Sequence, residues 1–244
     1  MATLLQTENL KRTFGGITAV NNCSIEVKKG SITGLIGPNG SGKTTLFNLI
    51  TNVYKPDAGR VYLAGREITG LRPNHLCHRG LSRTFQITRL FWDLSVLENM
   101  IVPVRQVGVR SLFGPGMYQY EAERAHELLR RVGLDHLAHQ PARKLSFGQQ
   151  KLLEFAAVLM SNPELVMLDE PAGGVNPTMI RFIMDLIRSL NQESVTFLVV
   201  EHNMSFVMEL CEHIIVMNQG EKIAEGPPAM IQSDPVVLDA YLGD

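Results

Sequence analysis

The segment Gly37-Pro-Asn-Gly40-Ser-Gly42-Lys43-Thr44 places glycines, a lysine and a hydroxyl in the spacing G-x-x-x-x-G-K-[ST]. Residues of these types at this spacing suit a phosphate group. The glycines let successive backbone N–H groups turn inward around phosphate oxygens, at the positive end of the helix that follows. Lys43 would neutralise β- and γ-phosphate charge, and Thr44 would offer its hydroxyl to Mg²⁺. An apolar run, Ser31 to Ile36, leads into the loop and a helical segment, Lys43 to Val53, leaves it. The candidate nucleotide contacts are therefore Gly37, Pro38, Asn39, Gly40, Ser41, Gly42, Lys43, Thr44 and Thr45.

Leu165-Val-Met-Leu-Asp169-Glu170 is a second apolar run, closed by two acids. An acid at the C-terminal end of a buried parallel strand lies where α/β sheets place ligands. Asp169 would hold the Mg²⁺ shell, and Glu170 would orient and polarise an attacking water. Taken alone, such a pair is more often a solvated loop or cap; the glycine loop upstream favours function. A third segment, Leu145-Ser146-Phe147-Gly148-Gln149-Gln150, heads a helical run, and by itself Ser146 reads as its N-cap.

The elements that must position these residues alternate along the chain. Ser31 to Ile36, Leu165 to Leu168 and Val195 to Val200 are strand-length apolar runs, and helical patterns follow over Lys43 to Val53, Pro177 to Leu190 and Met204 to Cys211. Asn176 and Pro177 suit the N-cap and N1 positions. Such an order predicts a mainly parallel sheet buried on both faces. Residues 1–30 and 59–68 instead hold short alternating strands with Gly-bounded turns, predicting an antiparallel subsheet. Residues 90–160 are predominantly helical, with Val107 to Met117 expected as an exposed loop.

The 244 residues are 45% hydrophobic and 19% charged, ordinary globular composition that excludes disorder. The formal net charge of −1 gives no electrostatic case for nucleic acid as a partner. Cys23, Cys77 and Cys211 are widely spaced and read as reduced thiols. No secretion leader is expected at the N-terminus, and no apolar run reaches the ~20 residues of a bilayer span.

Together the three segments resemble the set that defines ATP-binding cassette (ABC) ATPases. That resemblance, covering nearly the whole chain, implies an α/β fold of the P-loop NTPase (RecA-like) kind. It carries a mainly parallel sheet, an antiparallel β subdomain and an inserted α-helical subdomain. Residues 1–89 and 161–244 would be the nucleotide-binding core and 90–160 the helical subdomain. It implies that Ser146, Phe147, Gly148 and Gln149 contact ATP held by the opposite subunit. Gln86 would be the glutamine that senses γ-phosphate and Mg²⁺, His202 the catalytic switch histidine, and Phe14 the aromatic on adenine. Gly174 and Asn176 would belong to the loop that communicates between sites. Two residues depart from the family pattern: Phe147 stands where a glycine is usual, and Asn176 where an aspartate is usual. The Phe147 side chain is expected to point away from phosphate.

Long coiled-coil insertions and a second cassette are absent from the sequence, which argues against repair and translation relatives. Arg83-Thr-Phe-Gln86, Leu90-Phe-Trp-Asp-Leu-Ser-Val-Leu-Glu-Asn99, the loop after Val102 and the ending Ala240-Tyr-Leu-Gly-Asp244 are similar to the LivG-type ATPases of branched-chain amino acid importers. Lipopolysaccharide-export and urea-importer ATPases are the alternatives, and a nucleotide-dependent switch without turnover is a weaker third. The resemblance implies ATP and Mg²⁺ as cofactors, and a homo- or heterodimer with a second cassette ATPase. It also implies transmembrane permease partners, a substrate-binding protein met indirectly, and a peripheral position on the cytoplasmic face of the inner membrane.

Overall fold

The computed structural model describes residues 2–84, 90–102 and 115–242. The chain opens with β1 (Thr3–Phe14), β2 (Ile17–Cys23) and β3 (Glu26–Lys28), and β4 (Ile32–Ile36) runs through the glycine loop into α1 (Lys43–Ile50). Next come β5 (Ala58–Leu63), β6 (Arg66–Glu67), α2 (Pro73–His78) and β7 (Leu81–Arg83). A helical stretch follows with α3 (Val96–Ile101), α4 (Pro115–Arg131) and α5 (Phe147–Leu159). The chain then alternates through β8 (Leu165–Asp169), α6 (Pro177–Gln192), β9 (Thr196–Val200), α7 (Met204–Leu210) and β10 (His213–Asn218). It finishes with β11 (Glu221–Gly226), α8 (Pro228–Ser233) and α9 (Pro235–Leu242).

Two sheets result. Among the described residues one has the order β11-β10-β4-β9-β8-β7, parallel except for the β10–β11 pair. The other is antiparallel, in the order β2-β1-β5-β6, with β3 paired to β1. Every residue of β4, β8 and β9 is buried, as expected of strands covered on both faces.

Alternation along those strands divides the interior in two. Val166, Leu168, Phe197, Val199, Ile214 and Val216 point into a core shared with α3 to α7. Their neighbours Leu165, Met167, Leu198, Val200, Ile215 and Met217 point the other way, onto α1 and the antiparallel sheet. A period of two thus lets each strand supply both cores.

Three details differ from the sequence-based expectation. The helix after the glycine loop stops at Ile50 rather than Val53, because Thr51 Oγ1 bonds the Phe47 carbonyl at 2.8 Å and Asn52 turns left-handed at φ +54°. The helix from Met204 ends at Leu210, where Cys211 becomes extended at ψ 140°. The expected loop from Val107 to Met117 gives way to α4 at Pro115, and its earlier part lies outside the described residues. All three cysteines are free. Among the described residues no helix is long and apolar enough to cross a membrane.

Phe197 is fully buried on β9 and packs 6.5 Å, centroid to centroid, from Phe155 of α5. Phe197→Ala should lower the unfolding free energy by ~3–5 kcal/mol. Urea denaturation checks this, and a midpoint within error of wild type would contradict the two-core packing.

Candidate functional site

β4 delivers the chain into the glycine loop, and Gly42 caps α1 at φ +99°. A Cβ on Gly42 would collide with the Ala19 carbonyl, and one on Gly37 with the Met217 carbonyl. Glycine is therefore required at both ends by close backbone approach. The Gly220 N–H donates to the Ser41 carbonyl at 3.0 Å, fastening the loop to the turn between β10 and β11. Lys43 Nζ lies over the loop, donating to the carbonyls of Gly37 and Pro38 at 2.8 Å each and to Ser41 Oγ at 3.2 Å. Burial lowers the Lys43 pKa from its usual value, and the nearby Glu170 carboxylate opposes that shift. Pro38 and Ser41 are buried, Asn39, Gly40 and Thr44 are exposed, and Thr45 is half-buried. Tyr241 of α9 bonds the Gly37 backbone, bringing the C-terminal helix onto the loop.

Asp169 closes β8 with its side chain only 2% exposed, and Arg83 Nη2 meets its Oδ2 at 2.8 Å. The same guanidinium reaches Asn48 Oδ1 at 2.6 Å and Thr51 Oγ1 at 3.1 Å, both near the end of α1. Burial pushes the Asp169 pKa up, with the Arg83 bond pulling it back. Its second oxygen, Oδ1, is buried without a hydrogen-bond partner among the described residues. An orphaned carboxylate oxygen near the glycine loop fits a hard cation, which prefers oxygen ligands. Among the described residues no cluster of three His, Cys, Asp or Glu side chains would hold a metal unaided.

Glu170 adopts φ +51°, its N–H donating to the Val200 carbonyl at 2.9 Å. Its carbonyl accepts from Lys151 Nζ at 2.9 Å and from the Gly173 N–H at 3.1 Å. The carboxylate Oε1 stands 3.8 Å from His202 Nδ1, at the end of the adjacent strand β9. Glycine loop, acidic pair and histidine thus meet at the C-terminal ends of β4, β8 and β9, where a parallel sheet exposes polar backbone to a ligand.

The remaining predicted residues sit around this centre. Phe14 is partly exposed, edge-on to Tyr54 at 5.3 Å, with the Arg12 guanidinium 4.7 Å from its ring centre. Ser146 caps α5: its Oγ accepts the Gln149 N–H at 3.4 Å while Gln149 Oε1 accepts the Ser146 N–H at 2.9 Å. Gly148 approaches Met179 of α6. Among the described residues no hydrogen bond carries Ser146 to Gln149 onto the glycine loop of their own chain. Gly174 has φ +72°, and Asn176 caps α6 by accepting the Met179 N–H at 2.9 Å. Gln86 lies outside the described residues.

Sequence reasoning missed three residues of this site: Arg83, Lys151 and Glu201. Glu201 is fully buried and accepts the N–H groups of Ala172 at 2.6 Å, His202 at 3.1 Å and Asn203 at 3.3 Å. It therefore ties the loop after β8 to the loop after β9. Its signal was legible, because an acid closes the apolar run Thr196–Val200 just as Asp169 closes the earlier one. Burial raises the Glu201 pKa, and the backbone bonds oppose the rise.

A buried parallel sheet whose strand ends carry a glycine loop with its lysine, an acidic pair and a facing histidine defines a phosphate-loop nucleotide hydrolase. The ABC transporter family model matches residues 20–173, and that of the branched-chain amino acid ATP-binding cassette transporter C-terminus matches residues 221–244. The chain belongs to the ABC transporter family, and it is an ATPase cassette whose hydrolysis is coupled to transport. It is 41% identical to the high-affinity branched-chain amino acid transport ATP-binding protein LivG of Salmonella typhimurium over 250 residues, covering 99% of this chain and 98% of that one. BraF of Pseudomonas aeruginosa, described in the same terms, is 39% identical over 251 residues, with 99% and 98% covered. A nucleotide-free ATP-binding cassette from an ABC transporter superposes with a TM-score of 0.89 at 37% identity, with 100% of both chains covered. A dimeric cassette in a post-hydrolysis state with ADP and Pi gives 0.80 at 28% identity, with 92% of this chain and 99% of that one covered.

Removing the Glu201 carboxylate would strand buried N–H donors in both loops. Glu201→Ala should cost ~1–3 kcal/mol, lowering Tm by roughly 2–12 °C in a chain of this size. Calorimetry checks it, and an unchanged Tm would exclude Glu201 as the tie between the loops.

Proposed function

We propose that this chain is the ATP-hydrolysing subunit of an importer for branched-chain or related amino acids. The observation that carries the reading is the end-to-end likeness to LivG and BraF together with the C-terminal match over residues 221–244. In this reading residues 1–89 and 161–244 form the nucleotide-binding core, and 90–160 form the helical subdomain. The subunit sits peripherally on the cytoplasmic face of the membrane. It engages permease subunits directly and a substrate-binding protein only through them.

Each residue of the site then has a role. The loop from Gly37 to Thr45 wraps the phosphates of ATP, Lys43 neutralises β- and γ-phosphate charge, and Phe14 stacks on adenine. Bound Mg²⁺ supplies further neutralisation of phosphate charge, and Thr44, Asp169 Oδ1 and Gln86 are the residues that would hold it. Glu170 orients the attacking water and accepts its proton as the water oxygen bonds to the γ-phosphorus and the bond to ADP breaks. His202, beside Glu170, steadies the carboxylate and γ-phosphate. Ser146 and Gly148 of a second cassette, identical or related, complete the site with donors toward the γ-phosphate. Two ATP molecules are then held head-to-tail between the subunits.

Phe91 and Trp92 support the membrane contact. They are 54% and 45% exposed although their loop is pinned, by the Phe91 N–H to Asn99 Oδ1 at 2.8 Å and by the Arg143 N–H to the Trp92 carbonyl at 3.1 Å. Phe91 and Trp92 are thus not packed into a local core, whereas Leu94 of the same stretch is half-buried. Ordered yet exposed aromatics mark a partner surface, here for a cytoplasmic helix of the permease.

Two experiments test the reading. Glu170→Gln should keep ATP binding, slow turnover by ~10²–10⁴-fold and form ATP-dependent dimers in light scattering. Turnover near wild type removes Glu170 from its role, and absence of a dimer in any condition sinks the shared site. Phe91→Asp should leave the ATPase rate of the isolated chain intact while abolishing complex formation and transport; a complex that still assembles places the permease elsewhere.

A further inference from the structure

Lys151 lies one turn into α5 and has no part in the roles assigned above. Its side chain is half-buried. Burial lowers its pKa from the usual lysine value, and the carboxylates of Glu201, Glu154, Glu170 and Asp169 oppose that shift. Nζ donates to the Glu170 carbonyl at 2.9 Å and stands 5.5 Å from the centre of the Phe147 ring, its i−4 neighbour on the helix. A Cβ on Gly174 would come within 2.9 Å of that same ring. The aromatic at the usual glycine position of the signature segment therefore rests against Lys151 and the loop after β8.

These contacts join two things that act at different sites. α5 begins with Ser146 and Gly148, which under the proposed function read the γ-phosphate held by the partner subunit. Lys151 grips the backbone of Glu170, which serves the nucleotide of its own subunit. That grip adds to the bonds with Val200 and Gly173 that hold Glu170 in place, since a non-glycine residue in the left-handed region is strained by ~1–2 kcal/mol and stays there only when its surroundings hold it. A helix is stiff over one turn, so a shift of its N-terminus when the partner's nucleotide arrives is passed to Nζ.

We propose that Lys151 is a positioning residue that couples the water-orienting carboxylate of one site to the nucleotide of the other. The chain of contacts runs from Ser146 and Gly148, along α5 past Phe147, through the Lys151 ammonium to the Glu170 carbonyl. The proposal rests on the shared-site reading. Its physical warrant is a continuous set of contacts that the partner's ATP can bias.

The test uses the full chain with Lys151→Met, Lys151→Arg and Lys151→Gln. ATP affinity is measured by fluorescent-nucleotide displacement, and kcat and the Hill coefficient by phosphate release. Lys151→Met should bind ATP within about threefold of wild type. Its kcat should fall by roughly 10–100-fold, as expected when a reacting group is displaced by a fraction of an ångström to an ångström. The Hill coefficient, above 1 in wild type, should drop to 1. Lys151→Arg should restore most of both, because it keeps a cationic donor. Lys151→Gln, neutral but still a donor, replaces Lys151→Met if that variant does not fold. Wild-type kcat and cooperativity in a neutral variant overturn the proposal, as do a non-cooperative wild type, a loss of ATP affinity matching the loss of rate, or failure of arginine to rescue. Light scattering on Glu170→Gln with Lys151 intact separates the two readings. Absence of its ATP-dependent dimer defeats the shared site itself, whereas a dimer alongside unaffected Lys151 variants defeats only the coupling.

Discussion

The ion pair between Arg83 and Asp169 is the interaction on which the arrangement of the site depends. Both side chains are almost wholly out of water, and a charge left there without its partner costs ~3–5 kcal/mol. The guanidinium also donates to Asn48 and Thr51 near the end of α1 and to the Thr84 carbonyl, so one side chain holds together edge strand β7, the end of β8 and the helix that follows the glycine loop. Loop and acid cannot drift apart while this contact lasts. It also sorts the two oxygens of Asp169. Oδ2 belongs to Arg83, and Oδ1 is buried with no hydrogen-bond partner among the described residues.

A second buried network governs the neighbouring strand ends. Glu201 gathers N–H groups from two loops, while Lys151 and the Val200 carbonyl hold the Glu170 backbone in a left-handed turn. Burial shifts Lys151 downward and Asp169 and Glu201 upward in pKa, the directions expected when charged groups leave water. Opposite charges and backbone N–H groups nearby oppose each of these shifts. The site is accordingly organised around a few charges wholly or partly removed from water, while the Glu170 and His202 side chains remain open to solvent.

The sheet topology makes this compensation possible. β4, β9 and β8 lie side by side although β8 precedes β9 in the chain and both are far from β4 in sequence. Crossovers through helices place all three C-terminal ends on one edge. Alternating apolar residues then anchor each strand in two cores at once, so that the polar residues at the strand ends inherit the rigidity of the interior.

Much of this was legible locally. The glycine loop, the acids after Leu168, the caps at Ser146 and Asn176 and the strand-length apolar runs depend on neighbours within a few residues, and sequence by itself determined them. Helix ends were read less well where a side chain intervened, as Thr51 does against the Phe47 carbonyl. The partners of Arg83, Lys151 and Glu201 were not legible. Arg83 and Asp169 are 86 positions apart, Glu201 and Ala172 are 29, and Lys151 and Glu170 are 19. Nothing in the local pattern around an arginine or a lysine specifies which distant backbone or carboxylate it will meet. That choice was made only by the tertiary structure, because strand order and helix packing decide which charges share a buried space, and burial is what makes their pairing obligatory.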